Sequence, residues 1–398
     1  MSKDYFKLNE EVFFISGKNN ALYNTFSGDI YVLTEEEGVE IKRLEKGGKI
    51  SQNRNENVVI ELIEKLERLH LGSRKEKNIY VEKITMYPNW FDFLCFKPAP
   101  VINRVTIELG GCDKNCVYCD NERYRRYTEC FVNDKYGLKE STISLDKYVD
   151  IIKQLNLLGC KELLILGNDI INNSQKKERL IMKALESGIP SVMYIHCIEC
   201  LNTDIAKKMS DKGAHLILQS DRTNINYKII EELIELKVMF SILLIVDYEE
   251  SISTNSMVKE LSEYGIEVKI DFVFRKNFNK EKIMECFHSQ IPKINITEFS
   301  YNRRYNRCLN GTFVIQYDGT IVPCLGLRDC RVGNVQKIGE IFETGKIQKY
   351  WELNKDYDEN CKDCGLRYAC FDCKSLEKKL GGGLNLTVSC RRKINENS

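Results

Sequence analysis

Histidine and long apolar runs are scarce in this chain of 398 residues. The 4 histidines are scattered and form no His-x-x-x-His pair, which argues against a histidine-rich metal site and against Ser-His-Asp catalysis. No apolar run reaches the roughly 18 residues of a membrane-spanning helix, and the charged N-terminus lacks the apolar core of a signal peptide. We therefore expect a cytoplasmic protein without a membrane partner.

Neither sign of charge is in excess, because 59 lysines and arginines stand against 58 aspartates and glutamates. A net charge of +1 creates no global field toward nucleic acid, and we expect no nucleic-acid partner. Cysteine is abundant instead, with 17 in the chain. A reducing cytoplasm does not favour a disulfide scaffold, so metal binding is the leading explanation for these thiols.

The length predicts two or three domains, at about 150 residues for each domain. Pattern changes divide the chain into 1–97, 98–300 and 301–398. Strand and helix patterns of the first segment cover 11–17, 20–34 with a break at Ser27–Asp29, 35–47, 56–72 and 78–87. This order predicts a winged-helix-like α+β module. An N-terminal elaboration that packs on the next domain is the alternative.

Residues 98–300 alternate between strand and helix patterns. The strand patterns are nearly continuous β-branched and leucine runs, typical of parallel strands covered on both faces; they cover 101–109, 161–167, 190–197, 215–220, 240–246 and 267–274. Helical patterns cover 145–158, 174–187, 202–212, 226–236 and 254–264. This α/β alternation predicts a partial (β/α)6 TIM-like barrel with its reactive groups at the carboxyl ends of the strands.

Residues 301–398 show little regular pattern beyond a hairpin over 311–324, with Asp318-Gly319 at its turn. The rest is rich in cysteine and poor in apolar elements. A segment of this kind needs cross-links to fold, so we predict a cysteine-rich iron–sulfur domain.

Three cysteines, Cys112, Cys116 and Cys119, follow the first predicted barrel strand, with Tyr118 before the last. Three thiolates are too few for a closed zinc site and one too many for a disulfide. A cubane cluster on three thiolates leaves one iron open to a substrate. A zinc loop, or three unrelated buried thiols, is the alternative.

The Cys-x3-Cys-x2-Cys pattern after the first strand resembles the signature of radical S-adenosylmethionine (SAM) enzymes. The resemblance implies that the open iron binds the amino and carboxylate groups of SAM, that Tyr118 lies near the adenine, and that a 5′-deoxyadenosyl radical abstracts hydrogen from a substrate. The family ends its second strand with a Gly-Gly-Glu-like motif for the methionine ammonium. Here the place is taken by Gly167, Asn168 and Asp169, which depart from that motif. Ser220, after the fourth strand, is a further candidate cofactor contact.

The C-terminal cysteine spacing resembles the SPASM extension of radical enzymes that modify peptides, apart from a last gap of two residues instead of three. The resemblance implies one auxiliary cluster on Cys361, Cys364, Cys370 and Cys390, and part of another on Cys308, Cys324 and Cys373. Cys330 is the available fourth ligand; without it one iron stays open. The resemblance also implies three [4Fe–4S] clusters in all and an electron donor such as flavodoxin or ferredoxin. A zinc knuckle over 361–373 is the alternative.

The remaining cysteines receive simpler interpretations. Cys95, Cys130, Cys160 and Cys286 are interpreted as structural. Cys197 and Cys200 form a Cys-x-x-Cys without a thioredoxin-like setting, and we expect partly buried thiols near the barrel mouth.

The start of the chain, in 21–37, resembles the leader-binding module of peptide maturases, which captures a precursor leader as an added strand. The predicted function is a peptide maturase that forms a thioether or carbon–carbon crosslink, or epimerises a residue. A formylglycine-generating sulfatase-maturating enzyme or another radical dehydrogenase is an alternative, although Leu325 stands where the sulfatase-maturating branch carries an acid. A peptide-binding scaffold with a degenerate cofactor site is the alternative outside enzymes.

Overall fold

The structure, a computed structural model, describes residues 3–52, 56–85, 102–110, 124–125, 130, 141–167, 174–288 and 292–390. Several predicted site residues lie outside these ranges: Cys112, Cys116, Cys119, Tyr118, Asn168 and Asp169.

The N-terminal part combines strands and two helices. Its elements are β1 (Tyr5–Leu8), β2 (Val12–Ile15), β3 (Ala21–Asn24), β4 (Ile30–Val32), α1 (Glu35–Glu45), α2 (Glu56–Arg68) and β5 (Gly72–Lys75). β2, β3 and β4 form an antiparallel sheet, and β1 pairs with β5. The break at Ser27–Asp29 separates β3 from β4, as predicted.

The predicted strand over 78–87 is wrong for residues 78–85, which are irregular. The partner of β1 is β5, which comes earlier in the chain. The later segment is tied to the end of β1 by other bonds, because Lys83 Nζ donates to the Leu8 and Asn9 carbonyls at 3.2 and 2.8 Å. The apolar residues of this segment alternate as they do in a strand, although residues 78–85 form none.

The sheet β2–β3–β4 is covered on both faces. Val12 and Leu22 pack with α1 and α2, whereas Phe13, Ala21 and Tyr23 pack against the C-terminal part of the chain. The alternation of strand side chains therefore sends successive residues into two different cores.

Six parallel strands form the barrel, and each is followed by a helix. The elements are β6 (Arg104–Glu108), β7 (Tyr124–Arg125), α3 (Leu145–Leu157), β8 (Glu162–Leu166), α4 (Ser174–Glu186), β9 (Ser191–Cys197), α5 (Thr203–Asp211), β10 (Ala214–Asp221), α6 (Tyr227–Glu235), β11 (Phe240–Asp247), α7 (Ser251–Glu263), β12 (Val268–Arg275) and α8 (Lys280–His288). β6, β8, β9, β10, β11 and β12 pair in parallel in that order. The predicted partial barrel is confirmed.

Alternating side chains divide the barrel into an inner and an outer layer. Leu163 and Ile165 of β8 pack beneath the helices, whereas Leu164 and Leu166 fill the interior. Capping side chains begin the surrounding helices; Ser144, for example, accepts from the Lys147 amide at the start of α3.

The C-terminal part extends the barrel sheet. Its elements are α9 (Ile296–Asn302), β13 (Thr312–Ile315), β14 (Thr320–Val322), β15 (Gly333–Asn334), α10 (Glu340–Glu343), α11 (Gln348–Trp351) and α12 (Lys374–Lys379). β13 pairs in parallel with β6, and the predicted hairpin is formed by β13 and β14 with Gly319 at φ +83°. No helix in the described part of the chain is long and apolar enough to span a bilayer.

Candidate iron–sulfur centres

The carboxyl ends of the first two barrel strands meet directly before the cysteine loop. The Leu109 amide donates to the Leu166 carbonyl at 2.9 Å. Gly167 has a φ of +82°, and a Cβ there would lie 2.2 Å from the Gly110 carbonyl oxygen. Only glycine permits this conformation and this approach. Gly167 therefore has a positioning role that the predicted cofactor contact did not include.

A buried ion pair at this edge was not indicated by the sequence. The Arg328 guanidinium donates two hydrogen bonds to the Glu108 carboxylate, at 2.9 and 2.8 Å. The Glu108 side chain is 5% exposed and that of Arg328 19%. Bidentate pairs of this kind are strong and directional. The pair fixes the segment after Cys324 to the end of β6.

Ser220, the predicted cofactor contact after β10, donates to the Asp221 carbonyl at 3.1 Å. Because strand side chains alternate, Ser220 lies on the same face of β10 as Leu218, which packs under the helices. Gln219 lies on the same face as Ile217, which packs in the barrel interior. Gln219 is buried, and its Oε1 has no hydrogen-bond partner among the described residues. Its amide is thus the better-placed polar group, one position before the residue that the sequence indicated.

Four thiols from separate parts of the chain converge, and we name them the first thiol group: Cys130, Cys308, Cys324 and Cys373. The Cys130 and Cys308 thiols are in hydrogen-bond contact, which raises the pKa of Cys308, and Cys373 and Cys324 raise it further. Burial, then Cys373 and Cys130, raises the pKa of Cys324 to about 12. Cys130 also acts on the pKa of Cys373, after burial. Every pair within the group is therefore close enough to interact.

Cys330, the predicted fourth ligand beside Cys308 and Cys324, has other neighbours. Burial and then the Cys330 thiol raise the pKa of Tyr350 to about 12. Lys378 Nζ lies 3.9 Å from Cys330 Sγ. Cys330 is absent from the groups that most strongly shift the pKa values of the described thiols Cys308, Cys324 and Cys373.

The predicted ligands of the other auxiliary cluster are Cys361, Cys364, Cys370 and Cys390, and we name them the second thiol group. Burial, then Cys370 and Cys364, raises the pKa of Tyr23, so both thiols lie near one phenol. The Asn19 amide donates to Cys364 Sγ at 3.7 Å.

The segment that precedes Cys390 runs beside the segment that precedes Cys361. The Asn360 side-chain amide donates to the Thr387 carbonyl at 2.7 Å, and the Glu359 amide donates to the Asn385 carbonyl at 2.9 Å. These two hydrogen bonds hold the residues before Cys390 beside the residues before Cys361.

Two buried lysines lie beside Asp372. Lys355 Nζ and Lys374 Nζ lie 3.5 and 3.0 Å from Asp372 Oδ1, and the lysine side chains are 4% and 1% exposed. Burial alone would lower the pKa of Lys355. The negative charges of Asp372 and then of the Cys361 thiolate outweigh burial, so the pKa of Lys355 is raised above its ordinary value. A fixed positive charge therefore lies beside the second thiol group.

These donor sets fit clusters better than single ions. Within the described ranges, no three histidine, cysteine, aspartate or glutamate side chains lie close enough to hold one metal ion. Thiolates around one tetrahedral zinc lie about 3.8 Å apart, as follows from a Zn–S distance of about 2.3 Å. Sets of four thiolates are the usual ligands of [2Fe–2S] and [4Fe–4S] clusters.

Comparison with known proteins agrees with this chemistry. Residues 307–365 match SPASM, an iron–sulfur cluster-binding domain. The solved structure of histidine-tagged anSMEcpe with bound AdoMet has a TM-score of 0.51 and 15% identity, and the match covers 74% of this chain and 95% of that one. Residues 307–365 thus match an iron–sulfur cluster-binding domain, and the chain shares the fold of anSMEcpe.

The chain has a weaker similarity to Streptococcus suis SuiB bound to precursor peptide SuiA, with a TM-score of 0.40 and 15% identity over 97% of this chain and 100% of that one. No curated protein matches the chain in sequence.

Proposed function

We propose that the protein is a radical SAM maturase of a ribosomally made precursor peptide, which forms a thioether or carbon–carbon crosslink or epimerises a residue. The observation that carries the proposal is the position of Cys112, Cys116 and Cys119 directly after β6, the first strand of a confirmed six-stranded partial barrel. The carboxyl edge of such strands is where barrel enzymes keep their reactive groups.

The proposal gives the residues three roles: cluster binding, contact with SAM, and positioning of the barrel edge. Cys112, Cys116 and Cys119 would hold the cluster that binds SAM, which supplies hydrogen-abstracting radical chemistry when bound. Proposed SAM contacts are Tyr118, Gly167, Asn168, Asp169 and Ser220, to which the structure adds Gln219. The Glu108–Arg328 pair holds the barrel edge and the SPASM segment in one arrangement.

The proposal divides the chain into a leader-recognition module over 1–97, a barrel over 98–300 and a SPASM domain over 301–398. It includes three [4Fe–4S] clusters, a flavodoxin or ferredoxin as electron donor, and a cytoplasmic location. The auxiliary clusters would accept the electron that crosslink formation releases.

The edge of β4 supports the capture of a leader peptide. The bonds from the Asn24 amide to the Asp29 carbonyl and from the Leu33 amide to the Asn20 carbonyl set the antiparallel phase of β3 and β4. In that phase the backbone groups of Ile30 and Val32 point away from β3. An extended peptide would add to such an edge as a further strand.

An open groove accompanies this edge. It has a volume of about 450 Å³ and is lined by Gly28, Asp29, Ile30, Tyr31, Pro292 and Lys293. The Ile294 amide donates to the Gly28 carbonyl at 2.9 Å, and Lys293 Nζ lies 2.9 Å from Asp29 Oδ1. These bonds hold Lys293 and Ile294 beside the turn before β4, so the groove lies along the start of β4.

Val32→Pro tests the edge directly. Proline removes the outward N–H but is tolerated on an edge strand. We expect V32P to weaken binding of the leader peptide at least tenfold in a fluorescence titration, while V32T, which keeps the N–H, binds as the unmutated protein does. Equal binding by V32P would place the leader elsewhere.

Anaerobic reconstitution tests the reaction. The protein with reductant and SAM should release 5′-deoxyadenosine, and Cys112→Ala should abolish the release. Candidate precursor peptides encoded beside the gene should lose about two hydrogens on crosslinking and keep their mass on epimerisation. An unmutated protein that binds peptide but cleaves no SAM would instead be the scaffold.

The structure disfavours formylglycine formation through one position. Leu325, which stands where the sulfatase-maturating branch carries an acid, is 2% exposed and packs in the barrel interior with Leu164 and Val314. A leucine side chain at this position can neither donate nor accept a proton.

A further inference from the structure

One member of the first thiol group lies outside the SPASM pattern. Cys308 and Cys324 fall within the matched residues 307–365, and Cys373 follows shortly after. Cys130 belongs to the segment between β6 and α3, and no motif or spacing joins it to the other three. Its contact with Cys308 therefore needs a structural explanation.

The path of the chain supplies one. After Gly110 the chain reaches the far edge of the barrel, where Tyr124 and Arg125 of β7 pair with Arg275 and Phe274 of β12. It returns to the first strand by Ser141, whose amide donates to the Leu109 carbonyl at 3.1 Å. The described residues Tyr124 and Arg125 therefore lie at the last barrel strand, and Ser141 lies at the first.

The β7 pairing places Arg125 near one of the C-terminal thiols. Phe274, opposite Arg125, is fully buried in a cluster that also contains Cys373 and Leu376. Cys130 follows Arg125 by five residues, within reach of that cluster. The approach of Cys130 to Cys373 and Cys308 is therefore a consequence of strand pairing and packing.

We propose that Cys130 is the fourth thiolate ligand of the auxiliary cluster that Cys308, Cys324 and Cys373 hold, and that Cys330 is not a ligand. Each thiol gives its proton to solvent as the cluster binds. The cluster then has a closed shell of four thiolates and no open iron for a substrate. It also connects Cys130 to three thiolates of the C-terminal part of the chain.

This assignment rests on the SPASM part of the proposed function and is independent of which peptide is modified. The test uses the full chain with C112A, C116A and C119A, so that only auxiliary clusters form. C130S and C330S are compared in this background after anaerobic reconstitution with iron and sulfide.

A cluster on three thiolates loses its unliganded iron on mild oxidation. We expect oxidised C130S to lose about one iron per chain and to show a [3Fe–4S] signal by electron paramagnetic resonance, while C330S keeps its [4Fe–4S] clusters. The reverse result would establish Cys330 as the ligand. Zinc without sulfide in the reconstituted protein would overturn the cluster itself.

A second measurement avoids substitution of these cysteines. In the same background, alkylation with iodoacetamide followed by mass spectrometry should show Cys130 protected at least tenfold by cluster binding and Cys330 unchanged. Equal labelling of Cys130 with and without the cluster would overturn the proposal. Neither readout requires SAM or peptide, so a failure of SAM cleavage in the unmutated protein remains a separate result.

Discussion

The second thiol group takes three of its members from ten consecutive residues, 361–370, whereas the first takes each member from a different part of the chain. The members of the second group lie close together in sequence. The first group includes Cys130, which follows β7, and β7 pairs with β12 at the far edge of the barrel sheet. A local motif is thus visible in sequence spacing, and a group joined by strand pairing is not.

The largest expected effect separates the two groups. C324A/C373A removes two ligands from the first group and should lower the iron content by about four per chain, with the second cluster retained. C361A/C364A should cause the same loss from the second group alone. Iron and sulfide analysis with optical spectra gives the measurement. Loss of about eight irons in either variant would mean that the groups form one unit.

Arg328→Met should destabilise the joint between the barrel and the first thiol group. It leaves the buried Glu108 carboxylate without its partner, which costs about 3–5 kcal/mol. Unfolding in guanidinium, followed by the fluorescence of the buried Trp351, measures the change. E108L/R328M should recover most of the loss because no lone charge remains. Equal destabilisation by both variants would contradict this explanation.

Lys355→Met should alter the second cluster and leave the first largely unchanged. Removing a buried positive charge beside Cys361 disfavours the extra electron, so the reduction potential of that cluster should fall. Lys362→Met, at an exposed position next to Cys361, is the matched control and should have little effect. A redox titration followed by paramagnetic resonance distinguishes them. Equal shifts in both variants would show that burial is not the cause.

Asn19→Ala should produce the smallest change. It removes one amide donor from Cys364 Sγ, and hydrogen bonds to cluster sulfurs raise the potential. We expect a fall in the potential of the second cluster that is smaller than that of K355M, in the same titration. An unchanged potential would mean that water replaces the amide.

Most of the barrel was predictable from the sequence, because β-branched runs such as 240–246 and helical patterns such as 145–158 agree with the final environment of those residues. The strand over 78–87 was mistaken because local apolar alternation does not reveal which segment pairs with β1. Register depends on partners that lie far along the chain.

Predictions of site residues were possible only where sequence spacing or a motif indicates them. Cys361, Cys364 and Cys370 are indicated by their short intervals, and Gly167 by a departure from a known motif. Cys130 and the Glu108–Arg328 pair have no such signal, because each depends on a contact between residues more than 150 positions apart.

The distance along the chain between Cys130 and Cys373 has a consequence for biosynthesis. Because the two cysteines are 243 positions apart, the nascent chain exposes the earliest proposed ligand well before the last. At about 5–20 residues per second, translation leaves Cys130 waiting for roughly 12–50 seconds. The proposed centre can therefore acquire its complete set of four thiolates only after Cys373 has been synthesised.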